Sequence, residues 1–289
     1  MDNLKTIKRL KNNIQELFEV NDLGKKWKKL EPLLRAGIYC KIKNSKKPIL
    51  IGESKIGSLP DLPKNQTWFT SQEKPLSFLA QINFEEVKKF DIENKLPEKG
   101  IIYFFYNVEK EPEGYLLSDK DDFKVFYFDG NIDQLERIKA PDNLNEEFIL
   151  NEAKLGFKNE LDLPDCRYQE LDSIFKTSQE QDAYCEIQNE LGSEYDAFHK
   201  LLGHSDNIQN PMEIECEKIT NSQSLVEGID YNNSELIQKS KKWILLFQLD
   251  SDEDLDFMWG DGGRIYFWIK EKDLKAKKFE KVWMQSQCH

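Results

Sequence analysis

The sequence predicts an α+β fold: duplicated β-rich repeats packed around one core, with an N-terminal helix and peripheral helices. The first observation behind this is an internal echo. Lys74-Pro75-Leu76-Ser77-Phe78-Leu79-Ala80-Gln81-Ile82-Asn83 leads through a loop to Gly100-Ile101-Ile102-Tyr103-Phe104-Phe105. The same order returns in Lys242-Trp243-Ile244-Leu245-Leu246-Phe247-Gln248-Leu249-Asp250 and then Gly263-Arg264-Ile265-Tyr266-Phe267-Trp268. Repetition of this length reads as one unit folded twice. The second observation is a switch of hydrophobic period, from helical near the N-terminus to short β-branched and aromatic runs after residue 35. The third is the absence of a Pro-, Gly- or Ser-rich linker between the halves, which predicts one compact domain over 1–289. Within it lie a helical segment at 1–35, repeat one at 36–165 and repeat two at 166–289.

Each element has its own warrant. Leu4, Ile7, Leu10, Ile14, Leu17 and Phe18 recur at three- and four-residue steps, with Lys5, Lys8, Arg9 and Lys11 opposite them, as in an amphipathic helix. Asp22-Leu23-Gly24 ends it, with the glycine suited to a left-handed cap. Trp27 and Leu30 open a second short helix, and the basic cluster around them is a solvated face. Ile38 to Ile42 and Ile49 to Ile51 read as strands. Gly57-Ser58-Leu59-Pro60-Asp61-Leu62-Pro63 is a rigid turn segment, because its prolines fix their own dihedrals. Asn83 is placed to cap a helical turn from Phe84 to Phe90. Further strands are expected at Ile101 to Asn107, Lys124 to Phe128 and Ala153 to Phe157. Tyr103 and Phe105 should share one face of their strand and Phe104 the other, since strand side chains alternate.

Helical spacing returns between Asp165 and Leu202, with Ala183, Ile187, Leu191 and Tyr195 or Phe198 on one face. Gly203 to Pro211 is a second turn-rich segment, preceding the second echo as the Gly57 segment precedes the first. The polar stretch from Thr220 to Ser240 holds a loop and a helical piece around Leu236. A short helix from Asp273 to Phe279 and a strand at Val282 to Met284 close the chain.

Composition excludes several function classes. The net charge of -12 opposes nucleic-acid binding, which needs a basic footprint, and disfavours an anionic membrane leaflet. No apolar run approaches the ~20 residues of a membrane helix. The opening Met1-Asp2-Asn3-Leu4-Lys5-Thr6-Ile7 lacks the apolar core of an ordinary secretory signal, so a cytoplasmic location is expected. Cys40, Cys166, Cys185, Cys216 and Cys288 are scattered and form no C-x-x-C pair, the pattern of free thiols.

Several of these pieces together resemble the YwqG-like family of bacterial proteins. The resemblance is carried by Gly57 to Pro63, Pro75 to Asn83, Leu96-Pro97 to Phe105, Leu202-Gly203-His204-Ser205-Asp206-Asn207-Ile208-Gln209, Leu246 to Asp252, and Met258-Trp259-Gly260-Asp261-Gly262-Gly263-Arg264 to Ile269. It covers most of the chain after about residue 35. Ser58 replaces a frequent glycine and Ser205 a frequent proline. The resemblance implies a duplicated α+β fold in the cytoplasm and assigns no reaction.

Candidate sites come from the residues themselves. Asp250, Asp252, Asp254 and Asp261 fall near the spacing of a calcium loop, whose hard cation takes oxygen ligands. Calcium or magnesium would be the cation; no other cofactor is expected. Against this, the sharp-turn position holds Leu255 instead of glycine, and the flanks read as strands, so a solvated acidic loop is the plainer account. Trp259 to Arg264 is a glycine-rich turn carrying a packed tryptophan, across which Asp261 and Arg264 could pair. Gln81 with Asn83, and Gln248 with Asp250, hold equivalent echo positions. With Trp259 and Arg264 they form a candidate ligand set in a cleft between repeats, unless the amides fix loops. His199 and His204 lack the spacing of a metal pair, and neither Ser205 nor Cys216 sits in a nucleophile motif. No catalytic residue is assigned. The expected function is non-enzymatic protein binding, immunity-like in one version, toward a basic protein partner. The alternatives are a metal-dependent enzyme or calcium-binding protein using residues 250–261, and a small-ligand binder between the repeats.

Overall fold

A computed structural model describes residues 3–43, 47–222 and 228–289. One large antiparallel sheet organises the chain. Its strands are β1 (Arg35–Lys43), β2 (Lys55–Ile56), β6 (Ser77–Asn83), β7 (Ile101–Tyr106), β8 (Phe123–Phe128), β10 (Ala153–Asp162), β11 (Lys200–Leu202), β12 (Trp243–Asp250), β13 (Arg264–Lys270) and β14 (Trp283–Gln287). Short ribbons pair β3 (Asp61–Pro63) with β9 (Leu135–Arg137), and β4 (Thr70–Ser71) with β5 (Lys74–Pro75).

The ten-stranded order is β14-β13-β12-β11-β1-β10-β2-β6-β7-β8. At its centre β1 and β10 pair along their length, from Arg35 opposite Asp162 to Lys43 opposite Lys154. Outward from β10 come β2, β6, β7 and β8; outward from β1 come β11, β12, β13 and β14. β1 therefore lies beside the C-terminal strands although it is read with the N-terminal half.

The sheet curls until its two arms face each other. Phe104 of β7 packs on Phe247 of β12 and Phe267 of β13, with ring centroids 4.6 and 4.8 Å apart. The main core fills the space between the arms and draws on both halves of the chain. Alternation along β7 is as expected. Ile102, Phe104 and Tyr106 enter that core, while Ile101, Tyr103 and Phe105 join an outer cluster with Leu62, Leu76 and Leu135. Burial on both faces explains why β7 reads as a continuous apolar run.

The helix Asn3–Val20 buries Ile14 and Phe18 in a separate cluster with Trp27, Leu30, Tyr184 and Ile187. The last two belong to the helix Ser178–Gly192, capped by the Thr177 hydroxyl, which accepts from Glu180 N–H.

Some expectations are corrected. Asp22, not Gly24, takes the left-handed conformation after the first helix (φ 59°), as its short polar side chain allows. Ile49 to Ile51 is irregular, with Leu50 66% exposed and its N–H donating to the Glu53 carboxylate at 2.8 Å instead of to a neighbouring strand. The helix after Asp165 stops at Gly192, and Lys200–Leu202 forms a strand that escapes the periodicity by being three residues long. The helix Met212–Ser222 escapes it too, because its buried face carries Glu213, Glu215 and Glu217. Of the expected loop from Thr220, residues 223–227 lie outside the described residues; the helix Ser234–Ser240 follows. No helix among the described residues is long and apolar enough to cross a membrane.

Candidate functional site

Gln81 and Gln248 sit in two separate buried polar clusters, not across a shared cleft. Both are fully buried. Gln81 accepts from Asp61 N–H at 2.9 Å and donates to Asp61 Oδ2 and the Glu53 carbonyl at 2.7 and 2.8 Å. Gln248 accepts from Asp206 N–H at 3.0 Å and donates to Asp206 Oδ2 and the Phe198 carbonyl at 2.9 and 2.7 Å. A tyrosine closes each arrangement: Tyr103 donates to the Asp61 carbonyl at 2.5 Å, and Tyr266 to the Asp206 carbonyl at 2.7 Å. A lysine lies opposite each glutamine, Lys55 on β2 and Lys200 on β11. Each lysine donates to the carbonyl four residues on, Leu59 at 2.6 Å and His204 at 3.2 Å. The turns between share left-handed residue pairs, Gly57-Ser58 (φ 69° and 58°) and Leu202-Gly203 (φ 58° and 74°).

Each cluster sets cations against carboxylates, and the second sets Lys200 against three of them. Arg137 meets Asp61 at 2.8 Å, and Lys55 meets Glu152 at 2.9 Å. Burial still pulls the Lys55 ammonium below the usual lysine range. Lys200 contacts Asp206 at 2.8 Å and Asp162 at 3.5 Å. Burial opposes its charge, but Asp162, Asp206 and Glu160 hold it well above the usual range. Both glutamine amides are bonded on all sides within the fold, an arrangement that makes a buried network rigid.

The ends of β6 and β12 match as well. Asn83 N–H donates to Ser54 Oγ at 2.9 Å, and Asp250 N–H to His199 Nδ1 at 3.1 Å. The Asn83 carbonyl oxygen caps the helix Phe84–Val87 by accepting from Glu85 N–H, as its position predicts.

The acidic loop is placed differently from its calcium-loop spacing. Asp250 pairs with Arg264 at 2.8 Å and accepts from Phe198 N–H. Arg264 therefore pairs with Asp250, not with Asp261 across the turn, and also donates to the Asp206 carbonyl. Asp252 accepts from His199 Nε2 at 3.0 Å, a bond that holds its carboxyl below the usual range. Asp254 and Asp261 are exposed. Among the described residues no group of three or more His, Cys, Asp or Glu is arranged to hold a metal ion.

The remaining nucleophile and base candidates are also engaged inside the fold. His204 Nε2 donates to the Leu33 carbonyl at 2.8 Å, and burial, with the Arg35 charge, keeps its ring neutral. Ser205 Oγ donates to Asn207, and Cys216 Sγ to Gln285. Sequence spacing alone does not reveal these partners.

Trp259 borders a cavity. Its N–H end donates to the Asp250 carbonyl, and its ring lines a cavity of about 220 Å³. The other walls include Tyr106, Glu111, Glu113, Tyr115 and Cys288. The cavity thus joins the loop after β7, the turn before β13 and the end of β14. Sequence reasoning named Trp259 and missed its neighbours, because the loop at 107–116 carries no motif.

The profile of a domain of unknown function, DUF1963, matches residues 54–288. The chain belongs to the DUF1963 family. That match begins just before Lys55 and ends at Cys288, so it spans both polar clusters and the cavity of this DUF1963 protein. No curated protein matches the chain.

Proposed function

We propose that this DUF1963 protein is a non-enzymatic binding protein whose binding seat is the cavity lined by Tyr106, Tyr115 and Trp259. One observation carries the reading: the cavity offers aromatic rings and carboxylates, while the polar residues of the sequence motifs are bonded to one another inside the fold. Its lining contains the Cys288 thiol but no imidazole to activate it. The net charge of -12 favours a basic protein partner through electrostatic steering. Capture of a basic toxin, in an immunity-like role in the cytoplasm of a bacterium, is one form this function would take. The YwqG-like branch is the part of the family the sequence motifs favour. Two copies of one ancestral unit are the simplest origin for the matching bonds around Gln81 and Gln248.

The test is capture of a basic partner from cell lysate, then reassembly from purified components at low and moderate salt. Binding should weaken with salt and fall in the E111Q/E113Q double variant. Binding unchanged by both would place the interface elsewhere and end this reading.

A further inference from the structure

The cavity's chemistry narrows its occupant, an inference that rests on the cavity being the binding seat. Tyr106 and Trp259 meet edge to face with centroids 5.9 Å apart and planes at 79°, making two walls near a right angle. Tyr115 adds a third ring, half-buried. The polar ends of the first two are used inside the fold: Tyr106 OH donates to the Pro112 carbonyl at 3.1 Å, and Trp259 Nε1 to the Asp250 carbonyl at 3.3 Å. What they leave to the cavity is a small area of ring carbon, Tyr106 being 2% and Trp259 5% exposed, so Tyr115 is the most open of the three rings; an aromatic face is negative.

Carboxylates set the sign of the surroundings. Glu111 and Glu113 line the cavity and are exposed. After burial, the charges of Glu111, Asp119 and Glu113 raise the Tyr106 phenol, and those of Glu215 and Glu113 raise Tyr115. The basic groups on adjoining segments are already paired, Lys110 with Asp122 and Arg167 with Asp165.

The walls are also fixed in place. Ser286 N–H and Oγ donate to the carbonyls of Glu113 and Pro112 at 3.2 and 3.3 Å. Trp283 Nε1 donates to the Gly114 carbonyl at 3.0 Å. Gly114 lies so close to β14 that a Cβ there would sit 2.1 Å from the Met284 carbonyl oxygen. The loop that carries Glu111, Glu113 and Tyr115 is therefore clamped to β14, and an occupant need not order it.

We propose that this cavity is an aromatic cage for an alkylammonium head, held by cation–π contact with Tyr106, Tyr115 and Trp259 and by the charges of Glu111 and Glu113. Its volume of about 220 Å³ falls below the ~300 Å³ at which whole-cofactor pockets begin, so it takes a head group or side-chain tip. That tip is either a lysine side chain, methylated or not, of a basic protein or the head of a free amine.

Calorimetric titration with choline and with its neutral isostere 3,3-dimethylbutanol tests the cage. Choline should bind at least tenfold more tightly. Y115L and E111Q/E113Q should each weaken choline at least fivefold, with thermal midpoints confirming that both variants fold. Equal binding of the isostere would overturn the cationic assignment while leaving a binding cavity in place. No binding of either compound would overturn the cage, and partner capture as described above would then stand or fall separately. Titration with a lysine peptide, a trimethyllysine peptide and butylammonium distinguishes the sources. Tighter binding of either peptide indicates a protein side chain, and equal or tighter binding of butylammonium a free amine; no detectable affinity of the protein for any of the three cations would overturn the proposal.

Discussion

Replacing Gln248 by Leu tests whether the polar clusters hold the sheet. The substitution keeps the side-chain bulk and removes the amide. Three bonds go: the acceptor for Asp206 N–H, and the donors to the Phe198 carbonyl and Asp206 Oδ2. Asp206 Oδ2 keeps Lys200 at 2.8 Å, so its charge stays compensated. Two backbone groups are left without partners, at ~1–3 kcal/mol each. Leucine returns ~1–2 kcal/mol of apolar burial. Taking the middle of each range, the net loss is about 2–3 kcal/mol. Gln81→Leu removes the corresponding bonds to Asp61 and the Glu53 carbonyl. Its loss should fall at the upper end, because both bonds to Asp61 are fully buried whereas those to Asp206 are partly so. The assay is urea unfolding followed by circular dichroism and tryptophan fluorescence, whose transitions must coincide for the difference to be a free energy. A loss below ~1 kcal/mol at either position would refute the view that these amides hold the turn segments to the sheet.

Two further outcomes follow from buried carboxylates. Burial raises the Glu215 carboxyl above its ordinary value, even though Tyr231 and Gln285 donate to it. A raised folded-state pKa contributes stability that is full below the unfolded value and is lost as pH rises through the folded value. E215Q should therefore raise the melting temperature at pH 7–8 more than at pH 4; an equal shift at both would remove Glu215 as a source of pH dependence. Asp250 and Asp252 already have Arg264 and His199 as partners, so millimolar calcium or magnesium should leave the melt of the wild type unchanged from that in EDTA. A shift of several degrees with calcium, lost in D252N, would show that the loop rearranges into a cation site.

The legible part of the site was narrow for a physical reason. Gln81, Gln248, Trp259 and Arg264 stand out because they sit beside strong strand and turn signals. Their partners do not. Asp61 lies 20 residues from Gln81, Asp206 lies 42 from Gln248, and Arg137 lies 76 from Asp61. Such pairs form only when the sheet closes, and no local pattern encodes them. The D-x-D-x-D spacing shows the same limit: it fixes the interval between carboxylates but not that Arg264 meets Asp250 and His199 meets Asp252.

Local chemistry by itself determined the helix Asn3–Val20, the cap at Asn83, the alternation along β7 and the strands on either side of each echo. These follow from periods of 3.6 and 2 and from single-residue preferences, which act over a few residues. The tertiary structure alone decided the pairing of β1 with both β10 and β11, the strand Lys200–Leu202, and the burial of three glutamates on the helix Met212–Ser222. It also brought Tyr106, Tyr115 and Trp259 to one cavity. Those features depend on contacts between residues far apart in the chain, where the free energy lies in closing the sheet and not in the sequence of any one segment.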